Sequence, residues 1–137
     1  MIVLKDTHIL VSDVKIVAKV LQDLLAVEDA IDQDKEHFYV MHIDSRNKVK
    51  LVELVSMGII NASLVHPRET FRRAVSEGSV SIIVAHNHPT SDVTPSEDDI
   101  LVTRSLFEAG QIIDISLLDH IIFSRNRYFS MRENRVF

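Results

Sequence analysis

Ser79-Val80-Ser81-Ile82-Ile83-Val84-Ala85-His86-Asn87-His88-Pro89 is the stretch whose reading decides the fold. The β-branched run ahead of the histidines has the composition of a buried strand, and residues two apart on a strand leave the same face. His86 and His88 therefore reach toward one point. A loop containing Pro89 and Pro95 follows, and the pattern Ser96-Glu97-Asp98-Asp99 then opens a helix that carries the Asp99 carboxylate back over the strand end. Taken alone, Ser96 followed three residues later by Asp99 is a capping box, which stabilises a helix without any catalytic task. A close His-x-His pair is likewise unsurprising in a chain with seven histidines. Together, however, the two segments place three hard or borderline ligands where one divalent ion can be held.

Outward from this stretch, the chain alternates strand and helix patterns. Thr7 to Val11 is a short strand candidate, and Ser12 or Asp13 can cap the helix after it by accepting from free backbone N–H groups. In that helix Val14, Val17, Ala18, Leu21, Leu24 and Leu25 form one apolar stripe at three- and four-residue spacing, with Lys15, Lys19 and Gln22 outside it. Asp29 to Lys35 is acidic, lacks that periodicity and reads as an exposed connector. It ends at Glu36, at the entrance of the strand His37 to Ile43. Asp44-Ser45-Arg46-Asn47 supplies turn residues before a second strand, about Val49 to Ser56, which makes a hairpin. A helix starts at Pro67, whose fixed φ suits the first turn, turns Phe71, Ala74 and Val75 inward, and is capped by Gly78.

Beyond Asp99 the helical pattern runs from Ile100 to Ala109 and is expected to end at Gly110. Ile112-Ile113-Asp114-Ile115 and Leu117 to Phe123 suggest two short strands, and Tyr128 to Arg132 a last one after the turn Ser124-Arg125-Asn126-Arg127. The class is α/β, a single domain over residues 1–137 with a mixed β-sheet flanked by about three helices, with no internal repeat and no low-complexity segment.

Composition narrows the chemistry. At 137 residues and 46% hydrophobic side chains the chain fits one domain that buries about two-thirds of its unfolded surface. It contains no cysteine, so a disulfide framework and a thiolate zinc finger are excluded, and a transition metal must be held by His, Asp or Glu. Lys5 and Asp6 interrupt any signal-peptide core, and no apolar run approaches the roughly 18 residues of a membrane span. A cytoplasmic location with no membrane association is the expectation. The formal charge of −5 argues against broad contact with nucleic-acid phosphates. The basic groups Arg68, Arg72 and Arg73, or Arg125, Arg127, Arg132 and Arg135, are the only local patches for it, and both read first as solvated faces.

The pattern His-x-His-Pro, six residues, Ser-x-x-Asp, matched from His86 to Asp99, resembles the signature of the JAB/MPN (JAMM) metalloprotease superfamily, with Glu36 as its strand-entry glutamate. Within that superfamily the chain is most similar to the C-terminal domain of RadC. Val65-His66-Pro67-Arg68-Glu69, Ala85-His86-Asn87-His88-Pro89, Thr94-Pro95-Ser96, Leu117-Leu118-Asp119-His120 and Ser130-Met131-Arg132-Glu133 carry the resemblance over most of the sequence. There are two departures. Thr90-Ser91-Asp92-Val93 replaces the usual Ser-Gly-Asp-Pro, and the helix-hairpin-helix region that precedes the domain in full-length members is absent from these residues. Neither removes an expected ligand.

The resemblance implies a cytidine-deaminase-like architecture and a Zn2+ held by His86, His88 and Asp99, with water in the open fourth position as the nucleophile. It also implies that Glu36 takes the water's proton and later delivers it to the leaving amine, and that Ser96 donates to the oxyanion while capping its helix. The substrate so implied is a peptide, isopeptide or similar amide bond of a peptide or protein. Asp119 and His120 fit either a role in orienting the ligands or a satisfied structural pair, while His42 and His66 read as structural. Asn87 points to the opposite strand face and braces the loop, and Asp98 is the wrong-register rival of Asp99. A zinc deaminase is excluded because that chemistry uses Pro-Cys-x-x-Cys, and a thermolysin-like protease because no His-Glu-x-x-His occurs. The alternative from another class is a non-catalytic RadC-like binding module associated with DNA repair or recombination.

Overall fold

A computed structural model describes all residues, 1–137. Six strands form one mixed sheet in the order β1-β3-β2-β4-β5-β6. They are β1 (Ile2–Lys5), β2 (His37–Ile43), β3 (Val49–Met57), β4 (Ser81–Asn87), β5 (Ser116–Phe123) and β6 (Tyr128–Ser130). Four helices complete the chain: α1 (Val14–Ala26), α2 (Ala30–Gln33), α3 (Pro67–Glu77) and α4 (Glu97–Ile113). Every residue of β2 and β4 is buried. Strands covered on both faces are read from unbroken apolar runs, which is why Ile82 to Ala85 specify the centre of the sheet.

Period two along those strands sorts the core into two layers. Tyr39, Met41, Ile43, Ile83, Ala85, Ile121 and Phe123 face α1, whose Val17, Leu21 and Leu25 close that layer. Phe38, Val40, Ile82, Val84 and Leu117 face α3 and α4, where Phe71, Ala74, Val102 and Leu106 meet them. His86 follows Ile82 and Val84 onto the second face. β4 and β5 are parallel, joined by α4, and every other neighbouring pair is antiparallel. The C-terminal end of β4 and the N-terminal turn of α4 therefore lie at the same end of the strands.

Several local expectations hold. Asp13 rather than Ser12 caps α1, accepting from the backbone of Lys15 and Ile16, and the hairpin β2–β3 is present. Pro67 opens α3, and Gly78 closes it at φ 67°, the left-handed region that glycine enters without strain.

Others are corrected. Thr7 to Val11 is not a strand: Asp6 at φ 55° ends β1, and the next residues follow the β3 edge through single contacts such as Val49 N–H to Ile9 O at 2.8 Å. The acidic connector contains the one-turn helix α2. Val75 is 62% exposed, because α3 turns only Thr70, Phe71 and Ala74 inward. Gly110 does not end α4. The helix runs on to Ile113 and stops at Asp114, φ 60°, so Ile112 and Ile113 are helical and a single strand follows. The last strand is shorter than expected and gives way at Met131 to a turn.

Candidate metal centre

His86 is the penultimate residue of β4 and His88 lies just past its end, so both rings leave on the α4 side. Asp99 occupies the third position of α4, where the capping box is complete. The Ser96 hydroxyl accepts from Asp99 N–H at 3.0 Å, and Asp99 Oδ2 accepts from Ser96 N–H at 2.9 Å. Helix cap and candidate ligand are thus the same residue. Asp98, the rival in register, is exposed.

Three side chains converge, Asp99 through both of its oxygens. His86 Nε2 and His88 Nε2 are 3.0 Å apart, His86 Nε2 lies 3.1 Å from Asp99 Oδ1, and His88 Nε2 lies 3.2 Å from Asp99 Oδ2. Tetrahedral zinc with bonds of about 2.0–2.1 Å sets its donors roughly 3.3 Å apart, so the triangle has the right size for such an ion. The chemistry of the donors agrees. His88 Nδ1 sits 2.8 Å from Asp92 O, a carbonyl that can only accept, so Nδ1 carries the hydrogen and Nε2 offers its lone pair to the centre. Charge agrees as well. Burial alone would raise the Asp99 pKa, but the His86 and His88 rings beside it and the hydrogen bond from Ser96 N–H hold it well below the ordinary carboxylate range. The Asp99 carboxylate beside it raises the pKa of His88 in spite of its burial, so a cation bound there competes with a proton. A buried His-His-Asp group of this kind can hold a divalent cation.

Glu36 is close to this group without belonging to the triangle. The β2–β4 ladder ends with Phe38 paired to His86, and Glu36 lies two residues before Phe38. Its charge is felt there, since it is among the groups that raise the His88 pKa. The carboxylate is held by Ile60 N–H at 2.6 Å to Oε2, and the Glu36 carbonyl accepts from Gly58 N–H at 2.7 Å. Asn87 secures the backbone on both sides of it. Pointing away from the ligands, Asn87 accepts from His37 N–H at 2.6 Å and donates to Lys35 O at 3.0 Å.

Asp119 and His120 separate. Adjacent strand residues face opposite ways, so Asp119 joins the α1 side, accepting from Ser130 Oγ at 2.5 Å and Arg132 N–H at 3.0 Å. His120 lies on the ligand side, fully buried, with Nε2 2.8 Å from His86 Nδ1 and Nδ1 2.6 Å from Thr103 Oγ1. Thr103 is not among the sequence candidates. It sits four residues after Asp99, the spacing that puts two helix residues on one face, and that is the available signal. His42 belongs to a separate network, with Ser79 Oγ at 3.2 Å and Glu53 Oε1 at 3.3 Å, while Arg73 holds Glu53 at 2.9 Å. His66 is the residue before α3 and makes no side-chain cap.

The partly exposed edge of His88 faces a polar cleft of about 220 Å³ lined by Gln33, Asp34, Ser91, Ser124 and Arg125. A larger cavity of about 600 Å³ lies on the α1 side, among Val14, Val17, Ile83 and Ile121, and none of the three donors lines it.

The sheet with its β4–α4–β5 unit and the His-His-Asp group at its edge are those of a JAB-type domain. The chain belongs to the RadC-like JAB domain family, whose model matches residues 11–136. It is 45% identical over 108 residues to a UPF0758 protein of Desulforamulus reducens, covering 79% of this chain and 48% of that protein. It is 46% identical over 102 residues to one of Methanosarcina mazei, covering 74% and 44%. With one of Listeria welshimeri it is 48% identical over 103 residues, covering 75% and 46%. The chain thus spans about half the length of the curated relatives it matches. No helix is long and apolar enough to cross a membrane.

Proposed function

We propose that this domain is a zinc-dependent hydrolase of the JAB type, acting on a peptide, isopeptide or similar amide bond of a peptide or protein. The observation that carries it is the triangle of His86 Nε2, His88 Nε2 and Asp99, closed to 3.0–3.2 Å with the Nδ1 of His88 already committed to a carbonyl. Zinc bound there supplies a Lewis acid and brings the pKa of water to about 7, so that a nucleophile is available near neutral pH. Glu36, two residues before the strand partner of His86 and held at one oxygen by Ile60 N–H, is the base that takes the proton and returns it to the leaving amine. Ser96 uses its oxygen to accept from Asp99 N–H, and its own O–H is the donor left for an oxyanion.

The test combines metal analysis with two variants. The protein is expected to bind about one equivalent of zinc tightly. Glu36→Gln should keep that zinc and lose roughly 10²- to 10⁴-fold in hydrolysis of an isopeptide or peptide probe, the range a general base contributes. Asp99→Ala should lose both. The proposal fails if the purified protein neither holds nor takes up zinc and Asp99→Ala behaves as wild type. Should zinc bind while Glu36→Gln alters nothing measurable, the metal is structural and the binding-module reading takes its place.

A further inference from the structure

The hydrogen bonds behind His86 allow one arrangement of protons, and it can be deduced from the far end. Thr103 Oγ1 is 2.7 Å from the carbonyl oxygen of Asp99, one turn earlier in α4. A carbonyl cannot donate, so the single hydroxyl hydrogen of Thr103 goes to it. Met131 Sδ at 3.1 Å from the same hydroxyl is too weak an acceptor to compete. Thr103 Oγ1 must then accept from His120 Nδ1 at 2.6 Å. His120 is 0% exposed and its ring hydrogen-bonds to no carboxylate, and a charged ring in such a place is costly, so its other nitrogen is bare. His120 Nε2 therefore accepts from His86 Nδ1 at 2.8 Å, which leaves His86 Nε2 as a lone pair aimed at His88 and Asp99.

We propose that His120 is a positioning residue for the metal centre: with Thr103 it fixes the tautomer and ring direction of His86, tying a ligand on β4 to the backbone of a ligand on α4 in one hydrogen-bonded circuit. The circuit also explains a residue that is otherwise unfavourable. A threonine bonding back to the carbonyl four residues earlier tends to bend and slightly weaken a helix. Here that bond is what turns the hydroxyl oxygen into an acceptor for His120. The opposite proton arrangement would place a hydrogen on His86 Nε2, between the donors, and obstruct a cation.

This inference rests on reading His86, His88 and Asp99 as ligands, and its test separates the two. Imidazole nitrogen NMR of the metal-free protein reads the tautomer directly, and His86 is expected to carry its hydrogen on Nδ1 before any zinc is added. Thr103→Val keeps the shape of the side chain and removes the hydroxyl. It should shift His86 toward the Nε2–H form and weaken zinc binding by about 10- to 100-fold, the usual cost of losing a partner behind a ligand, while Thr103→Ser restores both. His120→Leu should weaken zinc binding at least as much. If wild-type protein binds no zinc, the metal reading falls, and the tautomer spectrum still decides the circuit. The circuit is overturned if His86 is found as the Nε2–H tautomer in metal-free wild-type protein, or if the Val and Ser variants bind zinc equally well. Should His120→Leu fail to fold, the Thr103→Val and Thr103→Ser pair decides the question alone.

Discussion

At the scale of single residues, the middle of the His-x-His segment is as informative as its ends. Asn87 clamps the backbone at Lys35 and His37, the two neighbours of Glu36, so it sets the height of that carboxylate relative to the ligands. Asn87→Ala should leave zinc binding nearly intact and lower kcat about a hundredfold, since displacements near 1 Å have effects of that size. It should also cost about 1–3 kcal/mol of stability by leaving the His37 N–H buried without a partner, which urea unfolding would measure. That Asn87 faces away from the ligands is legible from period two; what it grips is not, because its partners lie 50 and 52 positions away in sequence. His120 shows the same limit. Its neighbour Asp119 invites reading the two as a pair, yet strand alternation sends them to opposite faces.

His42 makes a different residue-scale prediction. Burial lowers its pKa, and the hydrogen bond and charge of Glu53 only partly oppose this. Its ring is thus kept neutral in the fold, whereas the unfolded chain takes up the proton near the ordinary value of 6.5. The stability contribution is present above that value and is lost as pH falls below it. His42→Gln should flatten this part of the stability profile relative to wild type, and chemical unfolding from about pH 7.5 down to about pH 5.5 would show it.

Among the elements, α4 holds the most consequence, because its first turn supplies Asp99 and its last turn meets β5. Its start is legible in Ser96 and Asp99, a local pattern with a local cause. Its end is not, because glycine usually terminates a helix by adopting a left-handed conformation, whereas Gly110 stays helical and makes room for a neighbour. A Cβ there would lie 2.4 Å from Ile115 O and 3.2 Å from Phe71 Cζ. The first contact is backbone and cannot swing aside. Gly110→Ala should therefore destabilise the protein by about 1–3 kcal/mol, the range for overpacking, instead of stabilising it as the same change does in an open helix. Removing the cap by Ser96→Ala should cost about 1 kcal/mol, and both values are read from denaturant midpoints.

For the whole molecule, a bound cation would tie together parts of the chain that the fold brings in separately. His86 and His88 come from β4 and its end, Asp99 from α4, and the circuit through His120 reaches β5. Zinc at about a hundred times its dissociation constant should raise stability by about 2.7 kcal/mol, seen as a higher Tm that a chelator reverses. The α/β class with a mixed sheet follows from the sequence because strand and helix patterns alternate along it. The pairing of β1 does not, since Ile2 to Lys5 gains its place only from the exposed edge of β3, a tertiary fact with no local signature.

The seam between β2 and β4 has one more consequence. The three donors belong to the parallel β4–α4–β5 half, while Glu36 enters from the antiparallel hairpin half and meets them only where those two strands run side by side. On the proposed roles, holding a cation and activating water therefore draw on different halves of the sheet, so a change confined to Glu36 leaves the three donors where they are.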